Sequence, residues 1–341
     1  MPSKLIQFAE SLPKAELHMH LEGSLEPELM LELAQRNGVT LPYSSVEDIR
    51  KAYQFANLQE LLDLYYQGMS VLQTEQDFHD LTMTYLSRIN QDNVIHTEIF
   101  FDPQGHLERG IAFETQFNGI AGALEKGKKE FGISYRLIMS FLRHLSEESA
   151  FETLELAMPF LDRIDGVGLD SSEQGHPPEK FARVFARCRD LGLLITAHAG
   201  EEGPPEYVWQ ALNTLHTDRI DHGNRALEDT ELVKTIADRG LTLTVCPLSN
   251  LRLCVVDDMA DHPLLTMLDS GLRATLNSDD PAYFGGYVND NFRAIINHLP
   301  ITEDNIIQLA RNSFEGSWLS VAEKTDCLDR LDDTIQALRA G

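Results

Sequence analysis

Residues 193–201 read LLITAHAGE, and this stretch is the strongest indicator of the fold. Its first five residues are largely apolar on both faces, which is typical of a strand buried in a parallel sheet. A predicted helix at residues 178–191 precedes it, and Gly192 lies where that helix should end. A helix followed by a buried strand is part of a βαβ unit, so an α/β fold is indicated.

The same alternation of strand and helix recurs along the chain. We predict eight strands, at residues 15–21, 94–101, 135–142, 166–171, 193–199, 219–222, 241–246 and 273–277. Further helical stretches separate them, such as residues 229–238, which end before Gly240. Eight such units favour a closed barrel over an open doubly wound sheet. We therefore predict a (β/α)8 TIM barrel that occupies residues 1–341 as a single domain.

The longest insertion follows the first strand, from residue 22 to residue 92. It is predicted to be helical, with residues 26–37 and 58–72 as its best segments. An insertion at this point lies over the carboxyl face of a barrel, where barrel enzymes form their active sites. Four of its residues have the spacing of one helix face: Leu58, Leu61, Leu62 and Tyr65. That spacing favours a role in the core over contact with a substrate.

Charge and composition restrict the partners. Acidic residues outnumber basic ones by 54 to 28, for a formal net charge of −26. Such a surface repels phosphate backbones and anionic lipids, so we expect neither nucleic acid nor membrane partners. No signal-peptide pattern or membrane-spanning run is found, and the four cysteines form no CxxC pair. We expect a cytoplasmic protein that binds a small molecule; the oligomeric state is unknown from the sequence.

Four polar clusters lie at the ends of predicted strands. Residues 17–23 read LHMHLEG, and His18 and His20 should project together because strand residues i and i+2 point the same way. The other clusters are TAHAGE at residues 196–201, DRIDHG at 218–223 and NSDDP at 277–281. Each one alone has a structural explanation, such as a hydrogen-bonded core histidine or a helix cap before proline.

Taken together, the clusters indicate a metal site. All of them lie at the carboxyl ends of strands, where structural histidines have no reason to gather. Three imidazoles and a carboxylate suit Zn²⁺ and leave a position open for water. The adjacent Asp279 and Asp280 also need a cation or a shared proton to be tolerated side by side. We therefore predict one zinc ion per chain.

In this order the motifs HxH, HAGE, HG and NSDDP resemble the adenosine/adenine deaminase family of metal-dependent hydrolases, over about residues 12–283. The resemblance implies that the zinc ligands are His18, His20, His198 and Asp279. It also implies that Glu201 is the proton donor, that His222 positions the water and helps to deprotonate it, and that Asp280 binds N7 of a purine.

The reaction implied is hydrolytic deamination at C6 of the purine. Zinc lowers the pKa of its water toward about 7, so that hydroxide can attack C6 at neutral pH. N1 must then gain a proton, and Glu201, three residues after His198, is suited to supply it as a general acid. Ammonia leaves, and a 6-oxo purine remains.

The segment after the fourth strand bears on the choice of purine. Residues 170–178 read DSSEQGHPP, which resembles the adenine deaminase branch, whereas adenosine deaminases usually read GxDLAGDE. In an alignment on Asp170, Glu173 replaces a glycine that leaves room for the ribose. We predict that Glu173 binds the substrate, filling the sugar space and accepting a hydrogen bond from N9–H, which nucleosides lack. The alternative is a solvated loop glutamate.

We therefore expect conversion of adenine to hypoxanthine in purine salvage, with conversion of adenosine to inosine as the alternative. At the end of the second strand, residues 100–103 read FFDP, where adenosine deaminases often carry an arginine-aromatic-Ser-Pro run. The sequence does not explain this difference. Glu22 occupies the position of an acid that, in the family, can contact the sugar of a nucleoside. Adenosine therefore remains an alternative substrate.

Two other classes of protein were considered. Barrel hydrolases with two metals often use a carboxylated lysine as a bridge, but no lysine lies at the required position on strands four to six. A binding protein without catalytic activity would not need the full set of histidines and acids. Loss of turnover on removal of zinc, and its return with zinc, would separate these classes from an enzyme with one zinc ion.

Overall fold

Eight short parallel strands form the centre of the molecule. The computed structural model describes residues 3–53 and 58–340. The strands are β1 (Lys14–His20), β2 (Val94–Phe101), β3 (Ser134–Leu142), β4 (Gly166–Asp170), β5 (Leu194–Ala199), β6 (Arg219–His222), β7 (Thr242–Val245) and β8 (Arg273–Leu276). Each predicted strand is present, with ends that differ from the prediction by at most two residues.

The strands lie side by side in chain order, and each is parallel to the next. The sheet closes between β1 and the residues after β8. There, the amide of His20 donates to the carbonyl of Asp279 at 2.9 Å, and the amide of Asp279 donates to the carbonyl of His18 at 3.1 Å. The predicted (β/α)8 barrel is confirmed, and its closure brings the HxH motif beside the aspartate pair.

Helices surround the barrel. The α-helices of the described residues are α1 (Lys4–Ser11), α2 (Pro27–Asn37), α3 (Val46–Ala52), α4 (Leu58–Met69), α5 (Glu75–Gln91), α6 (Pro103–Leu107), α7 (Phe113–Phe131), α8 (Glu147–Ala157), α9 (Ala182–Asp190), α10 (Pro205–Gln210), α11 (Thr230–Arg239), α12 (Pro247–Arg252), α13 (Leu264–Asp269), α14 (Pro281–Phe284), α15 (Val288–His298), α16 (Glu303–Glu315) and α17 (Val321–Ala340). Across residues 3–53 and 58–340, none combines the length and apolar character that crossing a lipid bilayer requires.

Local sequence explains where several of these helices end. Gly240 follows α11 with a φ of 61°, a left-handed conformation that glycine adopts without steric cost. Gly192 follows α9 with a φ of 85°. At the start of α5, the side chain of Thr74 accepts a hydrogen bond from the amide of Asp77, and the side chain of Asp77 accepts one from the amide of Thr74. These two bonds form a capping box. The helix-to-strand boundaries that the two glycines predicted are therefore confirmed.

The insertion after β1 is helical, as predicted, and contains α2 to α5. Its predicted helix at residues 58–72 is α4, which ends at Met69. The side chain of Leu58 lies outside the described part of the structure. All seven residues of β1 are buried, as are all residues of β4, β6 and β7. The strands are thus covered on both faces, inside by barrel side chains and outside by helices.

Candidate active site

Four histidines and two aspartates meet at the carboxyl ends of the strands. His18 and His20 lie on β1, His198 lies on β5, and His222 ends β6. Asp279 and Asp280 follow β8. All six side chains are buried. The structure therefore brings together the residues that the four sequence motifs singled out, although they are separated by as many as 262 positions in the chain.

The imidazole nitrogens face one another and the carboxylate of Asp279. Nε2 of His20 lies 3.1 Å from Nε2 of His198 and 3.6 Å from Oδ1 of Asp279. Nε2 of His18 lies 3.3 Å from the same oxygen. Two imidazole lone pairs at such a distance repel each other unless a proton or a cation lies between them. A cation held by all four side chains removes this conflict.

His222 belongs to the same cluster. One ligand atom each from His18, His198, His222 and Asp279 can be chosen so that all lie within 4.8 Å of one another. His20 belongs to a second such group, with Asp102 and Asp170. Its ring therefore faces two ways, with Nε2 toward His198 and with Nδ1 3.5 Å from Oδ2 of Asp170.

A buried nitrogen supports a metal at this position. Nδ1 of His18 lies 2.9 Å from Oγ1 of Thr244, a hydrogen bond that fixes the ring. Nε2 of His18 is buried, and no residue within 3–53 or 58–340 gives it a hydrogen bond. A metal-binding histidine typically hydrogen-bonds through one nitrogen and leaves the other for the ion. Nitrogen and carboxylate donors together suit Zn²⁺, so the residues present fit such an ion.

Burial lowers the pKa of three of these histidines, His20, His198 and His222. Burial lowers the pKa of His222 to about 3, and burial followed by the charge of His18 lowers the pKa of His198 well below its usual value. Burial alone would raise the pKa of Asp279, but His18 and the other nearby histidines outweigh it and lower that pKa. Neutral imidazoles and an ionised carboxylate are the forms that bind a metal.

Glu201 and Asp280 differ from Asp279 in their protonation. Burial, followed by the charge of Asp279, raises the pKa of both carboxyls well above their usual range. Oε2 of Glu201 lies 3.4 Å from Nε2 of His222, and Oε1 accepts a weak hydrogen bond from Ser249 at 3.4 Å. Both carboxyls line the cavity that opens beside the histidines. They are therefore suited to donate protons into it.

The backbone at the site is constrained. His222 and Asp279 have φ values of 63° and 61°, a left-handed conformation that costs a residue with a side chain of order 1–3 kcal/mol. Gly23, the glycine of LHMHLEG, packs against Asp280. A Cβ atom at Gly23 would lie 2.0 Å from Oδ1 of Asp280, so only glycine leaves that carboxyl where it is.

The carboxylate of Glu173 is bound by the backbone of the loop after β5. Its carboxylate accepts the amides of Gly200 (3.1 Å), Glu201 (3.0 Å) and Gly203 (2.9 Å). It is 1% exposed, and it does not belong to the lining of the site cavity. This burial disagrees with the alternative of a solvated loop residue, and the contact of Glu173 with the purine stays a prediction. Three backbone amides are a strong anion site, so Glu173 instead holds the loop that carries Glu201.

Glu22 is likewise bound to the protein. Its Oε1 accepts the amide of Asp102 at 3.2 Å and lies 2.8 Å from Nε2 of His106. Burial raises the pKa of Glu22 to about 7. The carboxyl of Glu22 does not line the site cavity. The residue that supported a nucleoside as the alternative substrate therefore does not face the space for the substrate.

Sequence reasoning missed several cavity residues. Leu61, Leu62 and Tyr65 line the cavity, although their helical spacing had favoured the core alone. Leu61 and Tyr65 are buried, so they belong to the core and cover the site as well. Asp102 and Asp170 also line the cavity. Both aspartates follow or end a strand, and this position was the signal that could have identified them.

A cluster of histidines and carboxylates at the carboxyl face of a (β/α)8 barrel defines the class of protein, a metal-binding barrel hydrolase. Within that class, the chain belongs to the adenosine deaminase family, whose sequence model matches residues 13–334.

Similar proteins carry more specific names. An adenine deaminase of Marinomonas sp. (strain MWYL1) is 63% identical over 315 residues, which cover 92% of this chain and 94% of that protein. The crystal structure of an adenine deaminase from Arthrobacter aurescens superimposes with a TM-score of 0.94 at 50% identity and covers 95% of this chain and 99% of its own. An amidohydrolase from Burkholderia ambifaria with bound Zn has a TM-score of 0.91 at 27% identity, with 100% and 96% covered.

Proposed function

We propose that this protein is an adenine deaminase, which hydrolyses adenine to hypoxanthine and ammonia. The observation that carries the proposal is that a cluster able to bind a metal shares one cavity with two buried carboxyls, Glu201 and Asp280, whose pKa burial raises. Deamination of an aromatic amidine needs both an activated water and a proton for the ring. The high identity to proteins named adenine deaminase favours the free base over adenosine.

We assign one zinc ion to His18, His20, His198 and Asp279. The short distance between His20 and His198 and the unbonded Nε2 of His18 support this set. A bound zinc ion in the related amidohydrolase favours zinc over other divalent ions. When bound, such an ion supplies Lewis acidity, which makes water a nucleophile at neutral pH.

The remaining groups handle protons and orientation. Glu201, protonated by its surroundings, donates to N1 as C6 becomes tetrahedral. His222, 3.4 Å from Glu201, accepts a hydrogen bond from the attacking water and takes up its proton. That proton passes to the amino group, which leaves C6 as ammonia, and the proton of the new hydroxyl returns to Glu201. Asp280 has a buried Oδ1 that no described residue binds, and as a protonated acid it donates to N7, which is an acceptor in the N9–H form of adenine.

Ammonia release tests the proposal. The zinc-loaded protein is incubated with adenine and, separately, with adenosine, and ammonia is measured in each. Release from adenine with little from adenosine is the expected result. Release mainly from adenosine would support deamination but reject adenine as the substrate. Release from neither would reject the proposal that the protein deaminates these purines. Chelated protein serves as the control for contaminating enzymes, since its activity should return only when zinc is restored.

A further inference from the structure

Two carboxyls in the cavity take no part in the chemistry described above. Asp102 follows β2, and Asp170 ends β4. Their exposed fractions are 3% and 2%, and both line the cavity. Oδ1 of Asp102 and both carboxylate oxygens of Asp170 are buried without a well-formed hydrogen bond from any residue that the structure describes. The two carboxyls are neighbours, and burial followed by the charge of Asp102 raises the pKa of Asp170 well above its usual range. Burial of such acceptors is costly unless a ligand supplies the missing donor.

Adenine has one donor that is still without a partner. With C6 at the attacking water, N1 at Glu201 and N7 at Asp280, the polar atoms that remain on the ring edge are N3 and N9–H. N9–H is a hydrogen-bond donor, and it is the atom that carries the sugar in a nucleoside. Glu173, which the sequence paired with N9–H, accepts three backbone amides and does not line the cavity. A carboxyl that does line the cavity is therefore the better candidate acceptor for N9–H.

We infer that Asp102 is the specificity-determining residue that accepts the N9–H hydrogen bond of free adenine and so excludes purines substituted at N9. This inference rests on the proposed function and identifies how the same site selects its substrate. Tyr65 donates to Oδ2 of Asp102 at 3.2 Å and thereby orients the carboxyl, so that Oδ1 remains for the ligand. A purine with a sugar at N9 leaves that buried oxygen without a donor, and the sugar also clashes with it.

Asp170 has a different role, which follows from its distance to His20. Oδ2 of Asp170 lies 3.5 Å from Nδ1 of His20, whereas Oδ1 of Asp102 lies 4.0 Å from that nitrogen. A carboxylate beside the outer nitrogen of a metal-binding histidine orients the ring. Asp170 is therefore a positioning residue, which affects all substrates equally. Asp102 affects substrates according to what they carry at N9.

The test compares adenine with 9-methyladenine, in which a methyl group replaces the hydrogen on N9. The variants are Asp102→Ser, Asp102→Asn and, as a matched removal of a carboxylate in the same cavity, Asp170→Asn. We expect Asp102→Ser to lower kcat/KM for adenine by about 10- to 100-fold, the loss of a hydrogen bond to a charged group, and to lower it for 9-methyladenine far less. The ratio of the two substrates should thus collapse. In Asp170→Asn both values should fall together and leave the ratio unchanged.

Several outcomes would overturn the inference. An unchanged ratio in both Asp102 variants would make Asp102 a positioning residue for His20. Two metal ions per wild-type chain, with one lost in Asp102→Ser, would make the group of His20, Asp102 and Asp170 a second metal site. If Asp102→Ser does not fold, Asp102→Asn decides. It keeps the shape of the side chain but offers a neutral, weaker acceptor, so the ratio should fall by less than in Asp102→Ser, and an unchanged ratio would reject the inference.

Failure of the proposed function gives a separate result. If the metal-loaded wild-type protein releases no ammonia from adenine, the proposed function fails. The inference is then tested by calorimetric binding of adenine and 9-methyladenine to metal-free protein. A preference for adenine that disappears in Asp102→Ser would support it, and equal binding of the two bases by wild type would reject it.

Discussion

The two ends of the barrel pair their buried charged groups to different extents. At the amino ends of the strands, Lys14 donates to the carbonyl of Asp92 at 2.8 Å and to the side chain of Asn289 at 3.2 Å. Glu98 there accepts from Arg219, from His96 and from the amide of Trp318. At the carboxyl ends, buried oxygens of Asp102, Asp170 and Asp280 lack any hydrogen bond within the described residues.

The difference distinguishes a structural polar cluster from a binding site. Charges that the protein pairs internally fix the strands and need no ligand, while charges that it leaves unpaired raise the energy of the empty site and are stabilised by a metal or a substrate. The same contrast appears in the pKa of two carboxyls. Burial would raise the pKa of Glu98, but Arg219 lowers it to about 2. At Glu201 a hydrogen bond from Ser249 opposes burial but does not outweigh it, so the pKa lies well above its usual range.

Removal of the metal should have the largest effect on catalytic activity and only a small effect on the packing at the amino ends of the strands. We expect dialysis against a chelator to abolish ammonia release from adenine, because the histidine cluster then lacks its ion, and zinc to restore it. Circular dichroism should show the barrel still folded. The contrast between the two ends requires that they are independent. Loss of the fold together with the metal would contradict this.

Replacement of the proton donor should have the next largest effect. Glu201→Gln keeps the shape of the side chain and removes its acidic proton, so kcat should fall by about 10²- to 10⁴-fold. The bound zinc, measured by atomic absorption, should stay at the wild-type amount. Wild-type turnover in this variant would remove Glu201 from the mechanism.

At the amino end, the expected loss is in stability. Glu98→Gln removes the carboxylate that hydrogen-bonds to buried Arg219 and leaves only Asp221, 3.6 Å from Nε, as a countercharge. Loss of one partner of a buried ion pair costs about 3–5 kcal/mol of unfolding free energy. Denaturant unfolding measures this loss, and kcat of the folded fraction should remain close to that of wild type. A fall in kcat as large as that of Glu201→Gln would contradict the separation of the two ends.

The pH dependence of this stability has a definite sign. The pKa of Glu98 is lowered from its usual value to about 2 on folding, so its contribution is complete above pH 4.5 and is lost as the pH falls toward 2. The difference in stability between wild type and Glu98→Gln should therefore shrink between pH 4.5 and pH 2. A difference that stays constant over that range would mean that the carboxylate of Glu98 gains no charge stabilisation on folding.

The smallest expected effect is that of Glu173→Gln. Weakened bonds to the amides of Gly200 and Gly203 should loosen the loop of Glu201 and lower kcat by about tenfold, since each bond to a charged group contributes about 1.5–3 kcal/mol and a glutamine retains part of it. Activity on adenine and on adenosine, measured side by side, should fall in proportion. A selective gain for adenosine would restore the original assignment of Glu173 to the purine.

Much of the fold and site was readable in the sequence. Strands such as Leu194–Ala199 are apolar on both faces, and Gly192 and Gly240 mark the ends of the helices before them. Because the carboxyl ends of parallel strands share one face of a barrel, motifs at those ends had to meet. That rule brought His18 and Asp279 together without any knowledge of distances.

The direction of individual side chains was decided only by the tertiary structure. Glu173 and Asp102 are both acids near the end of a strand, yet Glu173 meets three amides of the loop 200–203 and Asp102 faces the cavity. Leu61 and Tyr65 are both core and cavity lining because α4 covers the carboxyl face of the barrel.

By itself, the sequence determined the barrel, the face that carries the site and the residues of the metal cluster, because periodicity and strand ends are local properties of the chain. Only the tertiary structure decided which buried acids are used by the protein and which remain for a ligand. Hydrogen bonds between distant segments, such as those of Glu173 to the loop after β5, depend on how the elements pack, and no local pattern contains that information.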